Sequence, residues 1–283
     1  MKKILAILLL LTSLSVFSSD SIVFTDKNST SFNDIFYSKS VNRVMNELRR
    51  LDSLENMEKE PIYLVMNSGG GGIYPGLEFI NLTKGLKRKV ITVSHYAASM
   101  AFETVQSLGE RYLLSNGILM SHKAKGFVFG EYPGQLDNRL AMHKRIVDLM
   151  EQVAVNRTNK KHNLKSYREL IENEFWCVDV DCIKEGFADK IISARCDESL
   201  NGKYSIKYTF LYEGRQVDII DWYSKCPLQT NYLSYEILID GQPLIDTSNY
   251  IDNKTVQSIV KKVQEIKKIR KQEKLTPTKS FKL

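Results

Sequence analysis

Two short apolar runs, each passing directly into a helix, constrain this chain more than anything else in it. Ile62-Tyr63-Leu64-Val65-Met66 is followed at once by Asn67-Ser68-Gly69-Gly70-Gly71-Gly72, and a helical pattern then runs from 73 to 84. Val90-Ile91-Thr92-Val93-Ser94 leads through His95-Tyr96 into a second helical pattern over 97–108. Strands apolar on both faces need cover on both faces, and parallel strands joined through helices provide it. The chain is therefore expected to be α/β with a largely parallel sheet.

The remaining pattern extends that layout. Ser21-Ile22-Val23-Phe24 reads as a strand, and Val41, Val44, Met45, Leu48 and Leu51 recur at helical spacing within 39–53. Two short strands, 111–114 and 118–121, flank Asn116-Gly117. The stretch 126–135 is glycine-rich and extended, 136–156 is a long helix, and 165–174 is another. A third short helix ends at Gly186, before Phe187-Ala188-Asp189-Lys190-Ile191-Ile192. Beyond Cys196 the texture changes. Residues 204–212 and 235–239 read as strands, with turns at Glu213-Gly214 and Asp240-Gly241, and 253–273 reads as a helix. The expected division is a segment 1–18, a main domain 19–196 and a small α+β C-terminal extension 197–283.

The segment 1–18 has a charged start, Met1-Lys2-Lys3, then eight apolar residues from Ile4 to Leu11, then small residues. That is the pattern of a cleavable secretory signal peptide, cut after Ser18, so a periplasmic or secreted location is expected. Export makes disulfides possible for Cys177, Cys182, Cys196 and Cys226. Of the three pairings, Cys177 with Cys182 and Cys196 with Cys226 asks least rearrangement of the chain, and four free thiols are the alternative. The spacing is not a paired CxxC, so no metal site is expected.

The formal charge of +7 is unevenly placed. Residues 254–283 hold ten Lys/Arg and two Glu, while the two lysines of the signal segment are removed on export, leaving 19–253 acidic on balance. A basic tail on an acidic body argues against a nucleic-acid partner, whose site would carry the positive charge. In the tail, Val256, Ile259, Val260, Val263, Ile266 and Ile269 line one side of a helix and lysines the other. Such a helix packs on its own protein; a weak contact with an anionic membrane surface is the other use of its basic face.

Chemistry enters with three motifs in order: Asn67-Ser68-Gly69-Gly70-Gly71, Ala97-Ala98-Ser99-Met100 and Met120-Ser121-His122. A serine on a strand-to-helix turn, a histidine ending a later strand and a glycine-rich turn are the parts of a hydrolase that attacks with a hydroxyl and holds an oxyanion with backbone amides. Of the other histidines, His143 falls in the long helix, His162 in a basic loop and His95 across the turn from Ser99.

These motifs resemble those of the Clp protease proteolytic subunit, in the ClpP/crotonase superfamily, from about 22 to 195. The stretch Gly130-Glu131-Tyr132-Pro133-Gly134-Gln135 before the long helix is similar to that family's glycine-rich stretch. The closing segment, Glu174-Phe175-Trp176 through Gly186-Phe187-Ala188-Asp189, is similar to its acid–aromatic–helix–Gly-x-x-Asp ending. The resemblance implies a βαβ superhelical core and a serine endopeptidase acting on peptides or unfolded proteins. It implies Ser99 as nucleophile, His122 as general base, Glu174 as the acid that orients it, and Gly70 with Met100 as oxyanion donors. Glu174 stands where the family usually has Asp, with Asn173 and the more distant Asp179 as alternatives, and Gly69 replaces the family's proline. A homo-oligomeric ring contacting through the long helix, peptide pairing along 126–135 and no cofactor are also implied. An ATP-driven unfoldase is not expected outside the cytoplasm. The alternative is a catalytically impaired subunit that binds or assembles.

Overall fold

The computed structural model describes residues 21–212, 214–229, 232–243 and 261. In chain order the main domain runs β1 (Ser21–Phe24), β2 (Ser29–Phe32), α1 (Ser38–Asp52), β3 (Ile62–Ser68), α2 (Ile73–Lys84), β4 (Val90–Ala98), α3 (Met100–Ser107), β5 (Arg111–Ser121) and α4 (Gln135–Asn156). It continues through α5 (Leu164–Leu170), β6 (Phe175–Val178), α6 (Val180–Lys184) and β7 (Lys190–Cys196). The sheet order is β1-β7-β5-β4-β3-β2, every pair along it is parallel, and β6 lies antiparallel against the end of β5. The α/β architecture with a mainly parallel sheet is as expected.

Alternation along β3 shows why its run is apolar throughout. Ile62, Leu64 and Met66 enter a core shared with α1, α2 and α3, while Val65 enters a second core with Phe24, Ile91, Val93, Tyr112 and Ile192. Both faces of the strand are covered, so every position on it pays to be apolar. Two buried arginines tie loops to this frame. The Arg88 guanidinium donates to the carbonyls of Leu51 (2.6 Å), Glu60 (2.9 Å), Lys27 (3.1 Å) and Pro61 (3.3 Å). Arg111 donates to Asp189 Oδ1 (2.6 Å), Gln106 Oε1 (2.7 Å) and the Gly186 carbonyl (2.9 Å). Against the cost of burial, Arg111 and then Arg157 hold the Asp189 carboxyl below the usual carboxylate range. The Gly186–Asp189 motif is therefore a structural latch. Gly186 has φ +83°, and a Cβ there would stand 2.6 Å from the Thr158 carbonyl oxygen.

The short strands β2 and β6 were not expected, and two larger corrections concern β5 and the extension. The turn expected at Asn116-Gly117 does not divide β5; Asn116 takes φ +62° and the strand passes through an irregularity in its register with β4. In the extension, β8 (Lys203–Tyr212), β9 (Arg215–Ser224), β10 (Tyr232–Ile239) and β11 (Gln242–Pro243) make an antiparallel sheet, and β9 was not expected. Ile239 pairs with Gln242 around Asp240 (φ +48°) and Gly241 (φ +79°), the left-handed pair a two-residue hairpin requires. The segment 1–18 lies outside the described residues, as does the helix expected over 253–273 except for Lys261.

Disulfides join Cys177 to Cys182 and Cys196 to Cys226. The second anchors the extension, because Leu200, Cys226 and Leu228 also pack against the second core. It closes a loop of 30 residues. Replacing Cys196 and Cys226 together by serine is expected to cost about 3 kcal/mol. Denaturant unfolding checks this, and the lost protection from hydrogen exchange should concentrate in β8–β10.

Candidate active site

The site begins with the turn between β4 and α3. Ser99 occupies it with φ +55° and ψ −124°, a region that a residue with a side chain enters only when its surroundings hold it there. They do so from both sides. Its N–H donates to the Met120 carbonyl (2.9 Å), and its own carbonyl accepts from Glu103 N–H (3.1 Å), the first bond of the helix. The turn lifts the hydroxyl off the sheet at the positive end of α3.

His122 follows the last residue of β5, the strand that pairs with β4. Because Ala98 is in register with Met120, the residues just beyond each strand come together. His122 Nε2 lies 2.9 Å from Ser99 Oγ. Its other nitrogen, Nδ1, lies 2.6 Å from the Lys123 carbonyl oxygen. A carbonyl only accepts, so Nδ1 carries the proton and Nε2 is left as the acceptor for the serine O–H. That is the tautomer a general base needs.

The third wall is the glycine turn after β3. Gly70 N–H donates to Ser68 Oγ (3.2 Å) and its carbonyl accepts from Phe36 N–H (2.8 Å). Its φ is +95°, and a Cβ there would fall 2.6 Å from the Ala98 carbonyl oxygen, 2.7 Å from Ser99 Cβ and 2.8 Å from Met100 N. The backbone of the turn thus lies against the serine with no room for a side chain. Met100 N–H opens α3 and has no acceptor within the helix.

The sequence assignment needs two corrections. Gly70 contributes by what it lacks, since its amide is already bonded to Ser68; among the described residues neither the Gly69 nor the Gly71 amide of the turn has an acceptor. Glu174 is not brought to His122. It follows the turn after α5 with φ +71° and pairs with Lys125 Nζ at 3.4 Å, while Lys123 pairs with Glu172. The resemblance implies an orienting carboxyl at this point in the chain; in the structure the Glu174 carboxyl lies against Lys125 instead. Asp179 is bound to the far part of β5, its N–H donating to the Gly117 carbonyl (3.0 Å). The other histidines are occupied elsewhere: His95 faces Asn67, His143 the Tyr74 ring, and His162 bonds Glu185 and stacks on Phe187. The stretch 126–131 belongs to no strand in the single chain, and Phe127 and Phe129 stand about three-quarters exposed in it.

A family model for Clp protease matches residues 18–195. The chain belongs to the Clp protease family. It is 27% identical over 154 residues to a protein of Streptococcus mutans named ATP-dependent Clp protease proteolytic subunit, covering 53% of this chain and 77% of that one. A protein of Lactococcus lactis subsp. cremoris with the same name is 26% identical over 156 residues, covering 53% and 76%. Membership of the Clp protease family makes this a hydrolase of the serine protease class in lineage, and the match ends where the antiparallel extension begins.

Proposed function

We propose that this chain is a serine-type endopeptidase in which Ser99 is the nucleophile and His122 the general base. The observation that supports it most is the 2.9 Å contact between Ser99 Oγ and His122 Nε2 across a strand-to-helix turn, with the imidazole tautomer set by Lys123. Ser99 Oγ attacks the peptide carbonyl carbon as its proton passes to Nε2. The amide N–H groups of Met100 and Gly71 receive the oxyanion, the proton moves to the leaving amine, and an acyl-enzyme remains. Water, deprotonated by the same Nε2, attacks the ester and restores Ser99. A backbone carbonyl takes the orienting part that a carboxylate plays elsewhere.

The substrate class is a peptide or an unfolded protein, and the exposed stretch 126–131 is suited to pairing with it as an added strand. Exposed Leu140, Met142 and Leu149 on α4, with Phe127, Phe129 and Tyr132 beside it in sequence, support assembly of copies into a ring. Both disulfides fit a location outside the cytoplasm. Relatives carry "ATP-dependent" in their names; this chain, acting where ATP is absent, works without an unfoldase.

The full-length protein, incubated with short fluorogenic peptides and a permanently unfolded protein, is expected to hydrolyse both with no ATP added. Glu174→Ala should retain activity within about threefold, whereas loss of a true orienting carboxylate lowers the rate about 10⁴-fold. A folded, assembled wild type that cleaves nothing would turn the reading to a binding subunit.

A further inference from the structure

The glycine turn is held from its outer side as well as from the side of the serine. Ser68 is buried at the end of β3, in register with Ala97 on the strand that leads to Ser99. Its Oγ lies 2.5 Å from the Asp34 carbonyl oxygen and 3.2 Å from Gly70 N. A hydroxyl has one proton and a carbonyl only accepts, so the O–H goes to Asp34 and a lone pair receives the Gly70 N–H. Phe36 N–H donates to the Gly70 carbonyl (2.8 Å), and the Phe36 carbonyl accepts from Gly72 N–H (2.8 Å). The segment 34–36 is itself fixed. Phe36 is buried, stacked on Phe32 (ring centroids 4.2 Å apart) and edge-on to Phe79 (5.8 Å). The Ile35 carbonyl accepts from Ser40 Oγ (2.5 Å) in the first turn of α1.

We propose that Ser68 is a positioning residue of the reaction: its hydroxyl clamps the glycine turn to the segment 34–36, so that the turn meets the oxyanion in one fixed place. This role rests on the reading of Ser99 and His122 as the reacting pair and of the turn as an oxyanion donor. Gly69–Gly72 is a run of four residues without side chains, and glycine samples more backbone conformations than any other residue. Gly69 stands where the resemblance leads one to expect proline, so no ring fixes φ within the run. The hold has to come from outside it. Two backbone bonds reach the run from Phe36, and Ser68 adds the side-chain bond. Committing the Gly70 N–H to Ser68 takes it out of the reaction and leaves the Gly69 and Gly71 amides without an acceptor.

Oxyanion donors raise a rate to the extent that they stand in place before the charge develops. A residue that never touches substrate therefore sets the rate if it fixes them. Ser29 is the natural comparison. It is buried too, and its Oγ donates to the Thr25 carbonyl (2.9 Å), but it lies on β2 in register with Tyr63, at the opposite end of β3 from the glycine turn.

The test is steady-state hydrolysis of one fluorogenic peptide by the full-length wild type, Ser68→Ala, Ser68→Cys and Ser29→Ala. Each is accompanied by its melting temperature and by hydrogen exchange over residues 67–76. Ser68→Ala is expected to lower kcat about 10²-fold, the loss that follows one displaced oxyanion donor, with KM within about twofold of wild type. Ser68→Cys, whose thiol is a weaker donor and acceptor, should fall between the two, and it carries the test should Ser68→Ala fail to fold. Ser29→Ala loses a buried hydroxyl of the same kind and should lower the melting temperature while keeping kcat within about twofold. Exchange over 67–76 should be about tenfold faster in Ser68→Ala than in wild type. A folded Ser68→Ala with the kcat of Ser29→Ala, or with a raised KM at unchanged kcat, would overturn the proposal. If the folded wild type cleaves nothing, the reading of the Ser99–His122 pair fails, and hydrogen exchange then decides the clamp. Equal exchange in wild type and Ser68→Ala would overturn it, and faster exchange confined to the turn would uphold it.

Discussion

Ser99→Ala is expected to abolish peptide hydrolysis, lowering kcat by about 10⁴- to 10⁶-fold. The size follows from what the proposed reading assigns to it: the hydroxyl that forms the acyl-enzyme and that lies 2.9 Å from His122 Nε2. Fold stability should stay within about 1 kcal/mol of wild type. The turn is held by backbone bonds, Ser99 N–H to Met120 and Glu103 N–H to Ser99, and alanine keeps both. His122→Ala should fall by a comparable factor, and the double variant should be no slower than either single one, because nucleophile and base act as a unit. Steady-state rates on one fluorogenic peptide check all three. Independent losses that multiply in the double variant would mean that serine and histidine belong to different functions.

Gly70→Ala is expected to be the next most damaging change, by another route. The new Cβ would stand 2.6 Å from the Ala98 carbonyl oxygen and 2.8 Å from Met100 N, at φ +95°. Neither neighbour can retreat. Ala98 is held in register with Met120, Ser99 N–H is bonded to Met120, and the glycine turn is tied to Phe36 through both the Gly70 carbonyl and Gly72 N–H. The strained conformation alone costs roughly 1–3 kcal/mol. Displacing the turn also moves the Gly71 and Met100 amides apart, and one misplaced oxyanion donor is worth about 10²- to 10³-fold in kcat. Gly85→Ala is the control: Gly85 caps α2 at negative φ, the nearest atom to its Cβ is at an ordinary 3.4 Å, and near-wild-type rate and stability are expected. Equal rates for Gly70→Ala and Gly85→Ala would show that the turn plays no part in catalysis.

How much of this was legible in the chain depended on whether the signal was local. β3, α1, α2 and α4 lie within one or two residues of where periodicity and the glycine run place them, because burial of one face repeats at fixed spacing. Ser99 and His122 meet because parallel β4 and β5 end side by side, which the motif order implies. Strands without a clean pattern were missed. β9 mixes Asp218 and Asp221 among its apolar residues, and β6 is only four residues beside a disulfide. Asn116-Gly117 carries turn chemistry, yet the close approach of Gly117 to the Ser94 carbonyl leaves a bend within one strand. Glu174 was misassigned because chain position does not say where a carboxyl points; a positive φ at that residue sends it to Lys125. The Ser121–Tyr167 hydrogen bond behind the site had no sequence signal, since it depends on which elements the fold packs together.

The measurement that bears most directly on the Ser99–His122 pair is fluorophosphonate labelling at pH 7 of the folded, full-length wild type beside His122→Ala, with the modified residue located by mass spectrometry. The expected result is a single adduct on Ser99 in wild type and none in His122→Ala, since an unassisted serine hydroxyl is a weak nucleophile. Labelling at another residue, or equal labelling with and without His122, would contradict the assignment of this pair as the reacting centre.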